Sequence, residues 1–242
     1  MISELKRLAL AALLLIAAAC SSSTDTSSSP GIPTIGLLAG DGQTAIAQSP
    51  VPIAPAVVVT NANHQPLAGI VVNFAVKSGG GSVVGSTVST DASGSAHVGQ
   101  WILGPALGIQ QLVASSSGAA PVTFTTTATL GSADSLLILS GDNQTISVSR
   151  GGTPGTLPAS LSVRVVDKYQ NPLPNVSVRF APDNYRVNGN LSFVSVVSDA
   201  SGVAGGVTWS VASTGAFTNL ATLSATATGA KITTFHATYT TQ

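Results

Sequence analysis

Histidines, carboxylates and hydroxyl nucleophiles set the chemistry this chain could do. His64 lies in a turn signal, and His97 and His236 lie in segments that read as strands. No pair has H-x-x-x-H spacing, and no second cysteine exists to complete a metal site. Asp41, Asp91, Asp142 and Asp199 stand at turn positions that recur along the chain. A calcium loop needs several oxygen ligands within one stretch, and no D-x-D-x-D run is present. Serines and threonines abound, but no G-x-S-x-G elbow presents one as a nucleophile. Gly79-Gly80-Gly81-Ser82 lacks the lysine and helix start of a phosphate cradle and reads as a hairpin loop. No catalytic residue, metal ligand or cofactor is therefore expected, and the chain does not read as an enzyme.

Cys20 is the one cysteine, so no intramolecular disulfide can form. Lys6 and Arg7 precede it, followed by twelve residues without a polar side chain, Leu8 to Ala19. That run is too short to span a bilayer, which takes about 20 residues, and it fits the core of a secretory signal. A cysteine directly after such a run resembles the lipobox of bacterial lipoproteins, with Ala17 where that family prefers leucine. The resemblance implies cleavage after residue 19 and acylation of Cys20, giving a stable membrane anchor. The alternative is an ordinary signal cut near Cys20 with a spare thiol. Ser21 follows rather than Asp, which in enteric-type lipoproteins favours the outer membrane. Residues 20–33 then form a tether. Its SSSTDTSSSP stretch has nothing apolar to bury and spans roughly 17 Å on average.

The elements that follow repeat. GDGQT at Gly40–Thr44 returns as GDNQT at Gly141–Thr145, an offset of 101. Gln65-Pro66-Leu67 returns as Asn171-Pro172-Leu173 at 106, Asp91-Ala92-Ser93-Gly94 as Asp199-Ala200-Ser201-Gly202 at 108, and Phe124 as Phe235 at 111. Short insertions thus separate the elements of the second copy, the first in the Gly151–Gly155 region. Within a copy the apolar period is two. Ile70, Val72, Phe74 and Val76 share one face, as do Val176, Val178 and Phe180. Short strands with regular turn signals predict an all-β chain, two tandem β-sandwiches without disulfides, at residues 34–131 and 132–242. Trp101, Trp209, Phe74 and Phe180 are the expected core anchors.

At these residues the chain resembles the group 1 bacterial immunoglobulin-like domains, the repeats of intimin and invasin. The second copy carries Asp167-Lys168-Tyr169-Gln170-Asn171-Pro172-Leu173 and then Asn175-Val176-Ser177-Val178-Arg179-Phe180. The first carries Thr90-Asp91-Ala92-Ser93-Gly94-Ser95-Ala96. The resemblance implies immunoglobulin-like sandwiches in an envelope protein acting as a stalk, spacer or adhesion-type module. Receptor recognition in intimin and invasin lies in a terminal lectin-like domain, which neither copy matches, so adhesion does not transfer directly.

Only 7% of residues are charged, against roughly 25% in an average domain. Helix surfaces need Glu, Lys and Arg, so a helical bundle is excluded. Basic residues are too few and too balanced by acids for nucleic-acid binding. The residues between 51 and 130 hold only Lys77 and Asp91, while those from 134 onward hold six basic and five acidic residues. The segment from Ala181 to Asn190 is longer than its counterpart in the first copy. Its Asn184, Tyr185 and Arg186 are the candidate contacts to an envelope polysaccharide or protein, since Tyr and Arg are common binding anchors. The other reading is a longer hairpin whose tyrosine packs on its own sheet.

Overall fold

The computed structural model describes residues 32–149, 151, 153–183, 190–191, 194–211 and 219–241. The described residues contain strands and no helix. The first copy holds β1 (Thr34–Ala39), β2 (Gln43–Ile46), β3 (Ala56–Thr60), β4 (Val71–Ser78), β5 (Gly81–Val84), β6 (Thr87–Ser89), β7 (Ser95–His97), β8 (Gln100–Leu103), β9 (Gly108–Ser115) and β10 (Val122–Thr129). The second holds β11 (Ser135–Ser140), β12 (Gln144–Val148), β13 (Gly155–Thr156), β14 (Leu161–Val166), β15 (Ser177–Pro182), β16 (Asn190–Leu191), β17 (Ser195–Val197), β18 (Val203–Val207), β19 (Trp209–Val211), β20 (Asn219–Thr226) and β21 (Thr233–Thr241).

The same order appears twice. In the first copy β1-β3-β7 forms one sheet and β2-β10-β9-β4-β6 the other; in the second, β11-β14-β18 faces β12-β21-β20-β15-β17. The opening strand divides between the sheets. β1 pairs antiparallel with β3, whereas β2 pairs parallel with β10, and β11 and β12 repeat this on β14 and β21. That split, with the last strand in the larger sheet, is the immunoglobulin-like arrangement.

Period-two patterning causes the layering. Along β4, Val72 and Phe74 are buried while Val71, Asn73 and Lys77 are exposed. Along β15, Val178 and Phe180 are buried while Ser177 and Arg179 are exposed. The inward residues form two separate cores. One gathers Val57, Val59, Phe74, Trp101, Leu112 and Phe124; the other gathers Val163, Phe180, Trp209, Leu223 and Phe235. Phe74 lies 6.5 Å from Phe124 and Phe180 lies 6.2 Å from Phe235, ring centre to ring centre, within the range of favourable tilted pairs.

One local expectation changes. Gly79-Gly80-Gly81-Ser82 is not wholly loop. Gly81 and Ser82 begin β5, which pairs with β8 and sets Val83 against Trp101. The β-branched Val83 and Val84 and a partner strand outweigh the glycines' preference for turn. A side chain at Gly81 would put its Cβ 2.2 Å from the Ile102 carbonyl, at φ +91°, so glycine is required there. The insertion near Gly151–Gly155 leads into β13, which pairs with β19 where the first copy has only the Pro50–Ile102 bridge.

Candidate functional site

Cys20, Asn184, Tyr185 and Arg186 lie outside the described residues. Trp101 and Trp209 are 0% and 1% exposed, and Phe74 and Phe180 are buried beside them. Among the described residues neither indole Nε1 has a hydrogen-bond partner.

The three histidines do not converge on one site. His64 occupies a left-handed turn position at φ 59°. His97 Nδ1 lies 3.2 Å from the Val98 carbonyl. His236 donates its backbone N–H to Asp142 Oδ1 at 2.8 Å, with Nδ1 3.3 Å from the same oxygen. Among the described residues no three metal-ligating side chains cluster.

The carboxylates take donors from their own turns or from a neighbouring strand. Asp91 Oδ1 accepts from Ser93 N, Ser93 Oγ and Ser95 N at 2.8, 2.6 and 3.0 Å. Asp199 repeats this with Ser201 N, Ser201 Oγ and Val203 N at 2.8, 2.7 and 3.0 Å. Asp41 ties β10 to the opening turn by accepting from Thr125 N at 2.7 Å and Thr125 Oγ1 at 3.0 Å. Donated hydrogen bonds stabilise the ionised form. The Ser93 hydroxyl holds Asp91 low, the Ser201 hydroxyl does the same for Asp199, and the Thr125 N–H lowers Asp41. Burial pushes Asp142 upward, but the His236 and Asn143 N–H groups more than offset it. A carboxylate held ionised by structural donors is poorly suited to proton transfer near neutral pH.

A buried polar cluster joins the two copies. Asp167 and Asn171 are 1% and 3% exposed. Asp167 Oδ1 accepts from Tyr169 N at 2.9 Å and Asn171 N at 3.0 Å. Its Oδ2 accepts from Asn171 Nδ2 at 2.9 Å and Gly131 N at 3.0 Å. Asn171 Nδ2 also donates to the Ala47 carbonyl at 2.9 Å. Gln48 Nε2 donates to Asn171 Oδ1 at 2.6 Å and to the Tyr169 carbonyl at 3.3 Å. Burial raises Asp167, but the Asn171 side chain and three backbone N–H groups hold it below the usual carboxylate value. Beside the cluster lies a groove of about 340 Å³ lined by Pro105, Leu107, Leu130, Pro172 and Pro174. A signal for this cluster did exist: the aligned loop of the first copy has Asn61 and Gln65 where the second has Asp167 and Asn171.

No protein-family model matches the sequence, and no curated protein sequence matches it significantly. Similar solved structures include the adhesin InvE of Yersinia pseudotuberculosis, at 19% identity and TM-score 0.37, covering 85% of this chain and 58% of that one. Invasin, described as a bacterial integrin-binding protein, aligns at 18% identity and TM-score 0.43, covering 87% of this chain and 39% of that one. Drosophila N-cadherin EC1-4 aligns at 11% identity and TM-score 0.49, covering 87% and 49%. The chain thus spans less than two thirds of each of these three. At such identities the likeness concerns fold alone.

Proposed function

We propose that this chain is a non-enzymatic, lipid-anchored protein of the bacterial cell envelope, in which two immunoglobulin-like sandwiches act as a stalk or spacer. Cys20 carries the lipid after removal of residues 1–19, residues 20–33 are the tether, and the sandwiches occupy 34–131 and 132–242. The observation that carries the reading is the position of Cys20. It directly follows an apolar run of secretory length and precedes a Ser/Thr-rich stretch with nothing to bury. The turn aspartates support it, because in each of Asp41, Asp91 and Asp199 one carboxylate oxygen is taken by donors of the fold. Ser21 after the cysteine favours the outer membrane.

A labelled fatty acid fed to producing cells tests the anchor. The wild type incorporates label and fractionates with membranes, and Cys20→Ala does neither. Equal labelling of both removes the anchor from the reading. Proteolysis of intact cells then separates a surface position from a periplasmic one.

A second reading keeps the same anchor and adds a ligand. The distal copy holds most of the charge, and its Ala181–Asn190 segment is longer than the first copy's equivalent. Asn184, Tyr185 and Arg186 there would contact an envelope polysaccharide or protein. Pull-down on isolated cell-wall polysaccharide and on envelope extract tests it. Retention weakened by Tyr185→Ala supports the reading, and retention that is absent or unaffected by the substitution overturns it.

A further inference from the structure

We infer that the two sandwiches are held as one rigid body by a joint closed by Asp167 and Asn171, and that this joint needs no cation. The inference goes beyond the spacer reading and holds whether or not Cys20 carries a lipid.

The loop that forms the joint exists twice, so its two sets of side chains can be compared on one frame. In the first copy Asn61 N donates to the Gln65 carbonyl and His64 N to the Asn61 carbonyl; Asp167, Asn171 and Gln170 repeat both bonds. His64 and Gln170 share the left-handed conformation, at φ 59° and 67°. Asn61 Oδ1 accepts from Asn63 N and Gln65 N at 2.9 and 3.0 Å, as Asp167 Oδ1 does from Tyr169 N and Asn171 N. The frames are the same, and the difference lies in the second side-chain atom. Asn61 presents Nδ2, a donor, which is spent on Gln65 Oε1 at 3.0 Å. Asp167 presents Oδ2, an acceptor, and takes the Gly131 N–H of the connector. A donor at that position would face a second donor and leave the Gly131 N–H without its partner.

Asn171 supplies the other half. Both of its amide hydrogens and its oxygen are used, and two of its contacts reach the Ala47–Gln48 corner of the first sandwich. Gln65 in the first copy is exposed and touches only its own loop in this way. Opening the joint would take the Gly131 N–H from the buried carboxylate and the Ala47 and Gln48 contacts from the buried amide, so these contacts resist separation as a set. Gln48 and Asn171 also line the groove alongside, so their hydrogen bonds form part of its wall.

The carboxylate also explains why no cation is required. Its two oxygens offer about four lone-pair sites, and four N–H donors occupy them. A calcium ion would have to displace backbone donors that have no other partner.

Spin labels at Ala62→Cys and Ser160→Cys, in the full chain carrying Cys20→Ser, read the distance between the sandwiches. Both positions are exposed and lie in different copies. The joint as inferred gives one narrow distance peak, unchanged by excess calcium or by a chelator. Installing the first copy's residues, Asp167→Asn with Asn171→Gln, spreads that peak into a broad distribution. Gln48→Ala, which leaves both cores and the loop itself intact, also broadens it. Fluorescence of the buried tryptophans confirms that each sandwich stays folded. A broad wild-type distribution overturns the inference. So does a width that Gln48→Ala leaves unchanged, or one that narrows only when calcium is added.

Discussion

Trp101 and Trp209 show two opposing effects within one side chain. Among the described residues each indole N–H is buried without a partner, and an unmet buried donor costs about 1–3 kcal/mol. Each ring also removes about 150–250 Å² from water, which at roughly 25 cal/mol per Å² stabilises by about 4–6 kcal/mol. The apolar gain wins, and no disulfide shares the task because Cys20 is the only cysteine. Trp101→Ala or Trp209→Ala should therefore destabilise its sandwich by about 3–5 kcal/mol, read as a drop in denaturation midpoint. The phenylalanine variant should lose less, because it keeps most of the ring and removes the orphan donor. An unchanged midpoint for both alanine variants would contradict the core role. The burial of these rings follows from strand periodicity, whereas their lack of a hydrogen-bond partner depends on what the opposite sheet presents.

At the scale of elements, strands supply the layers and aspartates hold the turns. The D-A-S-G turn is stabilised by one carboxylate oxygen and closed by a left-handed glycine, Gly94 at φ 72° and Gly202 at φ 76°. Neither glycine has room for a Cβ, which would meet the Val59 carbonyl at 2.6 Å or the Val165 carbonyl at 2.8 Å. Asp41, Asp91, Asp142, Asp167 and Asp199 are all held below the ordinary value of 3.8 in the folded chain. A lowered folded value means that these carboxylates stabilise the fold above the unfolded value and cease to do so as pH falls through the folded one. The melting temperature should stay level above about pH 5 and fall steadily below the ordinary carboxylate value. A melting temperature unchanged down to about pH 2 would show that the turn carboxylates do not contribute. These turns were legible from their residues. The pairing of β5 was not, because Gly81 and Ser82 take their strand conformation from Leu103 and Ile102 of β8, at least twenty positions away.

Across the whole molecule, charge and contact are distributed unequally. Without residues 1–19 the chain carries seven basic and eight acidic residues, a net charge of −1. The first sandwich keeps itself in water with hydroxyls and amides, and the second holds most of the charged groups. One of those charges, Asp167, is not on the surface at all but in the joint.

Local order in the sequence determined the strands, the turn aspartates, the two cores and the repeat, because each depends on residues a few positions apart obeying the two-residue period of a strand. It also placed Cys20 after its apolar run. Only the tertiary structure decided that Asp167 and Asn171 serve the joint rather than another solvated turn. Gln48 and Asn171 are 123 positions apart, and nothing in the local pattern of either loop records the other. The first copy carries the same turn with Asn61 and Gln65 and leaves it exposed. The same backbone frame thus occurs in both copies, and in the second its carboxylate Oδ2 takes the Gly131 N–H where Asn61 presents a donor to Gln65.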